Sequence, residues 1–265
     1  MVLPLHDDNP VRRPPVLTYL LILLNLGVFL LSPTARDPLL RGQQTVASVC
    51  EQTSFFDRYG AIPRELFTNR QLPPRRIGVS TDEGVVACPV QRYDKIPVLS
   101  VLYAMFLHGG WLHLLGNMLF LFIFGNNVED RLGRFRFLGF YLLCGYAATY
   151  GFALSDVTST TTLVGASGAV AGVLGAYLLL YPRARVTSIV PPFFFLPFRL
   201  PAWVVLGLWF LLQYWYSAGA AVGSGAGVAY LAHVIGFLVG VALVVPLRNR
   251  RPPPPVYPQV WRAGY

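Results

Sequence analysis

The stretch LVGASGAVAGVLGAYLLLY, residues 163–181, is an apolar run that places one hydroxyl, Ser167, among glycines. About 20 apolar residues are enough for a helix to cross a bilayer. A serine in such a helix is common, because its hydroxyl can bond to a carbonyl one turn earlier. Packing is therefore the ordinary interpretation of Ser167, and a functional interpretation needs polar partners from other segments.

The whole chain has the composition of a polytopic membrane protein. Of its 265 residues, 54% are hydrophobic and 12% are charged, whereas soluble domains carry about 25% charged residues. Six apolar stretches predict an all-α bundle of six transmembrane helices. The stretches cover residues 16–31, 106–125, 137–154, 163–181, 201–222 and 226–247.

The distribution of arginines predicts the orientation of these spans. Arginines precede the first span, lie between the second and third and between the fourth and fifth, and follow the sixth. The links 155–162 and 223–225 contain no Lys or Arg, so the positive-inside rule places both termini in the cytoplasm and the loop 32–97 outside. The basic residues border spans and form no nucleic-acid motif, which argues against a nucleic-acid partner.

The predicted organisation has three regions: a cytoplasmic segment over 1–15, a membrane domain over 16–247, and a Pro-rich disordered cytoplasmic tail over 248–265. The first span also fits a cleaved signal peptide, although its apolar run slightly exceeds the usual length. Cys50 and Cys88 in the outer loop either form a disulfide or remain two thiols, because spacing alone does not decide between these states.

Polar side chains recur at similar depth in three of the predicted spans. The second span contains His108, His113 and Asn117, the fourth contains Ser167, and the sixth contains His233. Residues four apart share a helix face, so His113 and Asn117 point the same way. These spans run in the same direction and each polar residue lies early in its span, which predicts a shared polar cavity near the outer side. Ionisable residues within a membrane mark functional sites.

Small residues predict which helices meet. On the fourth and sixth spans they recur at helical spacing: Gly168, Gly172, Gly175, and Ala229, Ala232, Gly236, Gly240. Small residues let two helix backbones approach closely, although such patterns are abundant in membrane helices. We therefore expect the fourth span to pack against the sixth, which brings Ser167 within hydrogen-bond reach of His233.

A serine beside a histidine has the chemistry of acyl transfer. The hydroxyl is a poor nucleophile until a base takes its proton, and a neutral imidazole can be that base. No Asp or Glu lies near the histidine of the sixth span, which predicts a Ser–His dyad rather than a triad. The developing oxyanion needs donors. The candidates are Asn117, His113 and the backbone N–H of Ser167, with Gly165 and Gly168 leaving room for a substrate carbonyl.

Two other site chemistries compete with this interpretation. The histidines could hold a metal, but the second-span pair is spaced H-x4-H without a carboxylate or cysteine, so we expect no metal and no cofactor. Intramembrane His and Asn also line transport routes. A transporter more often shows inverted repeats and buried carboxylates, and neither is evident in this sequence.

Five motifs follow one another along the chain: YGAIPREL (59–66), HGGWLHLLGNM (108–118), VEDRLGRFRFLGFYLL (128–143), GASGAVAG (165–172) and AHVIGFLVG (232–240). In this combination the chain resembles the rhomboid intramembrane serine proteases, over roughly residues 16–247. Each motif alone would be weak, but the set is specific.

The resemblance implies a role for each polar residue. Ser167 would be the nucleophile, His233 the general base, and Asn117 and His113 the oxyanion donors, with His108 supporting the site. It also implies a six-helix core with a water-filled cavity open to the outside, closed laterally by the fifth span and a loop above it, and no metal or cofactor.

The resemblance further implies the partners and the location. Expected substrates are other membrane proteins, cut in a helix-destabilised transmembrane segment within the lipid bilayer. A catalytically inactive, client-binding relative is the alternative. The bare six-span core and the excess of Arg over Lys favour a bacterial plasma membrane, with the site facing outside.

This sequence departs from the pattern of well-studied bacterial rhomboids in two places. That pattern has Trp-Arg where this chain has Leu99 and Ser100, in the loop before the second span. It also has a tyrosine that stacks on the base, four residues after the serine, where this chain has Ala171. The orientation of the imidazole must therefore depend on other contacts.

Overall fold

The structure is a computed structural model that describes residues 3–36, 45–74, 78–81, 84–189, 196–220 and 229–247. The described residues are mostly helical. In chain order the helices are α1 (Val16–Leu31), α2 (Val46–Tyr59), α3 (Pro63–Thr68), α4 (Pro97–Ala104), α5 (Trp111–Phe120), α6 (Asn126–Leu132), α7 (Arg134–Ala153), α8 (Ser167–Leu180), α9 (Ala202–Trp215) and α10 (Tyr230–Val244). A π-helical turn, Leu121–Gly125, joins α5 to α6, and another, Tyr216–Ala220, extends α9.

Five short strands supplement the helices: β1 (Leu3–Asp7), β2 (Gly78–Thr81), β3 (Gly84–Ala87), β4 (Arg185–Ile189) and β5 (Pro197–Pro201). β4 lies between β1 and β5 in a small antiparallel sheet, and β2 and β3 form a separate antiparallel pair. The sheet thus joins the N-terminal segment to the connection between α8 and α9, and the prediction of an all-α bundle did not include it.

Each of the six predicted spans contains a helix, but three helices begin several residues later than predicted. The second begins at Trp111 instead of 106, the fourth at Ser167 instead of 163, and the sixth at Tyr230 instead of 226. Gly165 has φ +124°, a left-handed conformation that interrupts a right-handed helix.

Among the described residues, one helix is long and apolar enough to cross a membrane, judged by length and composition: the continuous helix Trp111–Leu132. Three shorter apolar helices accompany it, namely α1, α8 and α10.

α8 lies at the centre of the bundle, and residues 168–177 are all buried. It packs along α10 and α7. A Cβ added at Gly236 or Gly240 would collide with the backbone of Gly168 or Gly172, respectively. The predicted packing of the fourth span against the sixth is therefore confirmed. The backbones of the two helices are in direct contact at these glycines.

The segment between α1 and α4 is bonded within itself and to the residues that precede Ser167. Cys50 and Cys88 form a disulfide, with their Cα atoms 5.4 Å apart. Lys95 and Glu65 form an ion pair of 2.6 Å, and the two side chains are only 2% and 1% exposed. Hydrogen bonds join this segment to the link between α7 and α8: the Thr162 hydroxyl donates to Asp57 Oδ1 at 2.8 Å, and the Arg64 N–H donates to the carbonyl of Ser159 at 3.0 Å.

At the opposite end of the bundle, a carboxylate begins the first helix. Glu129 accepts hydrogen bonds from the backbone N–H groups of Leu17 and Thr18, at 2.9 and 2.6 Å. These N–H groups belong to the first turn of α1, where the helix offers them no carbonyl acceptors.

Asp7 accepts a 2.6 Å hydrogen bond from the hydroxyl of Tyr177. Burial raises the pKa of the Asp7 carboxyl above its ordinary value.

Candidate active site

Ser167 and His233 lie together at the starts of two helices. Ser167 is the first residue of α8, and His233 lies in the first turn of α10. Ser167 Oγ is 2.8 Å from His233 Nε2, which is hydrogen-bond distance. The glycine contacts described above hold the two helices at the separation that this bond requires.

The backbone before Ser167 is held from two sides. Ala61 and Leu163 exchange backbone hydrogen bonds of 3.0 and 2.7 Å, and the Gly165 N–H donates to the carbonyl of Ala104 at 2.8 Å. The chain thus arrives at Ser167 extended rather than helical. This corrects the sequence expectation, in which Ser167 lay one turn inside its span.

Ser167 places a backbone N–H as well as a hydroxyl at the start of α8. The first backbone N–H groups of any helix lack acceptors within that helix, and they carry the positive end of its dipole. Ser167 is in this first turn. Its N–H therefore suits a developing negative charge, and its role as an oxyanion donor stays a prediction.

His113 lies across Gly165 from the serine. Its Nδ1 accepts a hydrogen bond of 3.3 Å from the Gly109 N–H. A neutral ring with Nδ1 accepting carries its proton on Nε2. A Cβ added at Gly165 would lie 2.8 Å from His113 Nε2 and 3.5 Å from Ser167 Oγ. Gly165 therefore leaves open the space in which a carbonyl oxygen could meet that Nε2–H.

Asn117 and His108 complete the polar set predicted from the second span. Asn117 lies one turn after His113 on α5, and its amide donates to the carbonyl of His113 at 3.0 Å. An amide NH₂ has two hydrogens, so one remains for a ligand. His108 is 1% exposed and packs edge-on against His113, with ring centroids 5.1 Å apart. It precedes α5 instead of lying within the span, because the helix begins three residues later.

The two glycines expected beside Ser167 serve different purposes. Gly165 faces His113 and the hydroxyl, as described above. A Cβ at Gly168 would lie 2.6 Å from the Cβ of Ala148 on α7. The small size of Gly168 therefore permits close helix packing, whereas Gly165 leaves room in the site.

His233 has a second partner, Gln213, which the sequence did not predict. Gln213 on α9 places its Oε1 2.8 Å from His233 Nδ1, and Gln213 is 6% exposed. Trp209, one turn earlier, stacks on the imidazole with a centroid distance of 6.0 Å and an interplanar angle of 29°. One amide in the otherwise apolar predicted fifth span was the signal available in the sequence, since polar groups in spans are costly.

The structure shows what occupies the two places where this sequence departs from the bacterial pattern. Ala171 is buried in α8, and the aromatic ring beside His233 comes from Trp209 instead. Leu99 and Ser100 lie within α4, not in a loop, and the Ser100 hydroxyl donates to the carbonyl of Pro97 at 2.6 Å. Among the described residues, no group of three His, Cys, Asp or Glu side chains could hold a metal ion.

Comparison of the sequence with known proteins identifies one family. A rhomboid domain matches residues 97–250, more than half of the chain. The yeast Saccharomyces cerevisiae protein "Rhomboid protein 1, mitochondrial" is 32% identical over 150 residues, covering 54% of this chain and 40% of its own length. The Arabidopsis thaliana protein "Rhomboid-like protein 11, chloroplastic" is 32% identical over 150 residues, covering 53% of this chain and 49% of its own length.

A bacterial relative matches a shorter region. The Bacillus subtilis protein "Putative rhomboid protease YdcA" is 38% identical over 74 residues, covering 28% of this chain and 37% of its own length. The chain thus spans less than half the length of each of these curated relatives. It belongs to the rhomboid family of integral membrane proteins, whose members are intramembrane serine proteases or inactive relatives.

Proposed function

We propose that this chain is an intramembrane serine endopeptidase that uses a Ser167–His233 dyad. The observation that carries the proposal is the 2.8 Å contact between Ser167 Oγ and His233 Nε2. A nucleophile and base within this distance, with the base held by a third group, is the signature of an activated serine. The donors around Gly165 supply the second requirement, a place for the oxyanion.

The reaction begins with attack of Ser167 Oγ on the scissile carbonyl carbon, as the hydroxyl proton passes to His233 Nε2. The carbonyl oxygen becomes an oxyanion, which accepts hydrogen bonds from the Ser167 N–H, the His113 Nε2–H and the Asn117 amide. The C–N bond then breaks, and His233 gives its proton to the leaving amine. Water, deprotonated by His233, hydrolyses the acyl-enzyme and restores the serine.

The substrates are transmembrane segments of other membrane proteins. A helical peptide has its carbonyls bonded and shielded, so residues that break a helix expose the carbonyl to attack. Segments with Gly or Pro near the cleavage point are therefore favoured. This specificity requires no cofactor.

The proposed membrane arrangement has six spans, both termini in the cytoplasm and the site open to the outside of a bacterial plasma membrane. The Cys50–Cys88 disulfide supports an outside location for the segment between α1 and α4, because disulfides persist in oxidising compartments. The serine, the base and the disulfide then face the same side.

Cleavage of a reporter tests the proposal. The purified protein is mixed in detergent with a single-span substrate that carries a Gly-Pro pair, and fragment masses locate the cut. We expect wild type to cut within the span, and Ser167→Ala and His233→Ala to lower the rate by about 10³-fold or more. Matched controls are Ser217→Ala and His6→Ala, whose side chains lie outside the site and whose variants should cut normally.

Each remaining outcome contradicts the proposal. Binding of the reporter by a folded wild type without any fragments would indicate a client-binding relative. Cleavage by Ser167→Ala at the wild-type rate would exclude the dyad. Solute flux that persists in Ser167→Ala, with no cleavage by wild type, would indicate a transporter.

A further inference from the structure

α9 touches the proposed base on the side opposite the serine. Gln213 Oε1 contacts His233 Nδ1 at 2.8 Å, while Ser167 Oγ contacts Nε2 at 2.8 Å. The two ring nitrogens thus have partners on two different helices, α9 and α8. Trp209, four residues before Gln213, covers the ring face from the same helix.

The identity of the α9 partner determines where the proton of the ring lies. An amide oxygen only accepts hydrogen bonds, so the 2.8 Å contact requires a proton on Nδ1 of His233. A neutral imidazole then has its lone pair on Nε2, the atom that faces Ser167. This is the tautomer that a general base needs, and in a serine triad a carboxylate selects it.

No carboxylate is available for this purpose in the bundle around the base. α7, α8, α9 and α10 contain no Asp or Glu. The titratable groups that face His233 among the described residues are His113 from α5 and Tyr230 from its own helix. Gln213 is therefore, in the described part of the chain, the side chain in position to replace the triad carboxylate.

We propose that Gln213 is the positioning residue of the base: it holds His233 with the proton on Nδ1 and so makes the serine reactive. This inference rests on the proposed protease function. Because Gln213 belongs to α9, the reactivity of the serine depends on α9 remaining packed against α10. A displacement of α9 that exceeds hydrogen-bond length would leave the base without its partner.

The test compares Gln213→Leu, which removes the acceptor, with Gln213→Glu, which keeps an oxygen at nearly the same place. Tyr214→Phe is the matched control, because Tyr214 is the next residue on α9 and is 57% exposed. The measurements are the rate of labelling by a fluorescent fluorophosphonate across pH, and kcat and KM for the reporter. Gln213→Leu is also made together with His233→Ala.

We expect Gln213→Leu to lower the labelling rate and kcat by about 10–100-fold with KM unchanged, up to the roughly 100-fold that misplacement of a catalytic group can cost. Gln213→Glu should stay within about tenfold of wild type, and the acid limb of its pH profile should move to higher pH, because a carboxylate favours the imidazolium. In the His233→Ala background, Gln213→Leu should have no further effect, since the two residues act as a unit.

The proposal is overturned if Gln213→Leu labels within twofold of wild type at every pH, or if it lowers the residual rate equally in the His233→Ala background. If Gln213→Leu does not fold, Gln213→Glu decides: an unmoved acid limb contradicts the proposal. An inactive but folded wild type refutes the protease function itself, whereas an active wild type with an indifferent Gln213 refutes only the positioning role.

Discussion

α10 meets its two neighbours in different ways. Its contact with α8 is made by glycines, so that a Cβ at Gly236 or Gly240 would collide with backbone atoms. Its contact with α9 is made by large side chains: the rings of Phe210 and Phe237 lie 4.7 Å apart, and Trp209 stacks on His233. α10 also packs more extensively on α8 than on α9.

The difference assigns a separate task to each contact. The backbones of α8 and α10 are in direct contact, and such closely packed atoms leave no space for the two helices to approach further. The α8 contact therefore sets the distance between the serine and the base. Side chains can change rotamer while keeping contact, so the α9 contact orients the base but can also loosen.

The largest effect is expected from breaking the glycine contact. Gly240→Ala places a Cβ against the carbonyl of Gly172, and overpacking of this kind costs about 1–3 kcal/mol. We expect a lower thermal midpoint in detergent and loss of reporter cleavage. Gly207→Ala on α9 is the control, because nothing lies within 4 Å of its added Cβ. Equal stability of the two variants would remove the distinction between the contacts.

A second prediction concerns Asn117, which lies on α5, outside both contacts of α10. Asn117→Ala removes one proposed oxyanion donor and should lower kcat by about 10–1000-fold. The thermal midpoint should change little compared with Gly240→Ala. A variant with full kcat would exclude Asn117 from the oxyanion site and leave that role to His113 and the Ser167 N–H.

The α9 contact predicts a smaller loss. Trp209→Ala removes the ring stacked on His233 while Gln213 remains, so we expect kcat to fall by about 3–30-fold, less than the roughly 100-fold that misplacement of a catalytic group can cost. Trp203→Ala is the matched control on the same helix, because Trp203 is 59% exposed. If both tryptophan variants behave alike, the stacking does not orient the base.

The smallest effect is expected at the far end of α8, where Asp7 accepts the hydrogen bond of Tyr177. Burial raises the pKa of Asp7 above its ordinary value of 3.8, so the folded protein binds this proton more tightly than the unfolded chain. The contribution of Asp7 to stability is then present at low pH and is lost as pH rises through the raised pKa. Relative to Asp7→Asn, the thermal midpoint of wild type should fall with rising pH, with cleavage unchanged. A thermal midpoint that rises with pH, relative to Asp7→Asn, would contradict the raised pKa of Asp7.

The sequence predicted the α8–α10 contact because glycine spacing is a local pattern, readable along one helix at a time. The meeting of Ser167 and His233 followed from that contact. The rhomboid motifs identified the family, which the comparisons confirm. The number of spans and the orientation of the termini stay predictions.

Other features depended on contacts that no local pattern encodes. Gln213 contacts His233 because α9 packs against α10. A single amide in an apolar run does not reveal which residue it will contact. The late start of α8 depends on the positive φ of Gly165, which its GASG context did not distinguish from a helical glycine. The pairing of β1 with β4 joins residues about 180 positions apart, and Cys spacing left the disulfide undecided.

The most direct test of the central claim is labelling of the purified protein with a fluorescent fluorophosphonate, followed by mass spectrometry of the labelled peptide. This probe reacts with activated serines and needs no knowledge of the natural substrate. We expect a single label on Ser167 in wild type, none in Ser167→Ala, and only a residual labelling rate in His233→Ala, lowered by about 10³-fold or more. Labelling that persists in His233→Ala at the wild-type rate, or a folded wild type that does not react, would contradict the dyad.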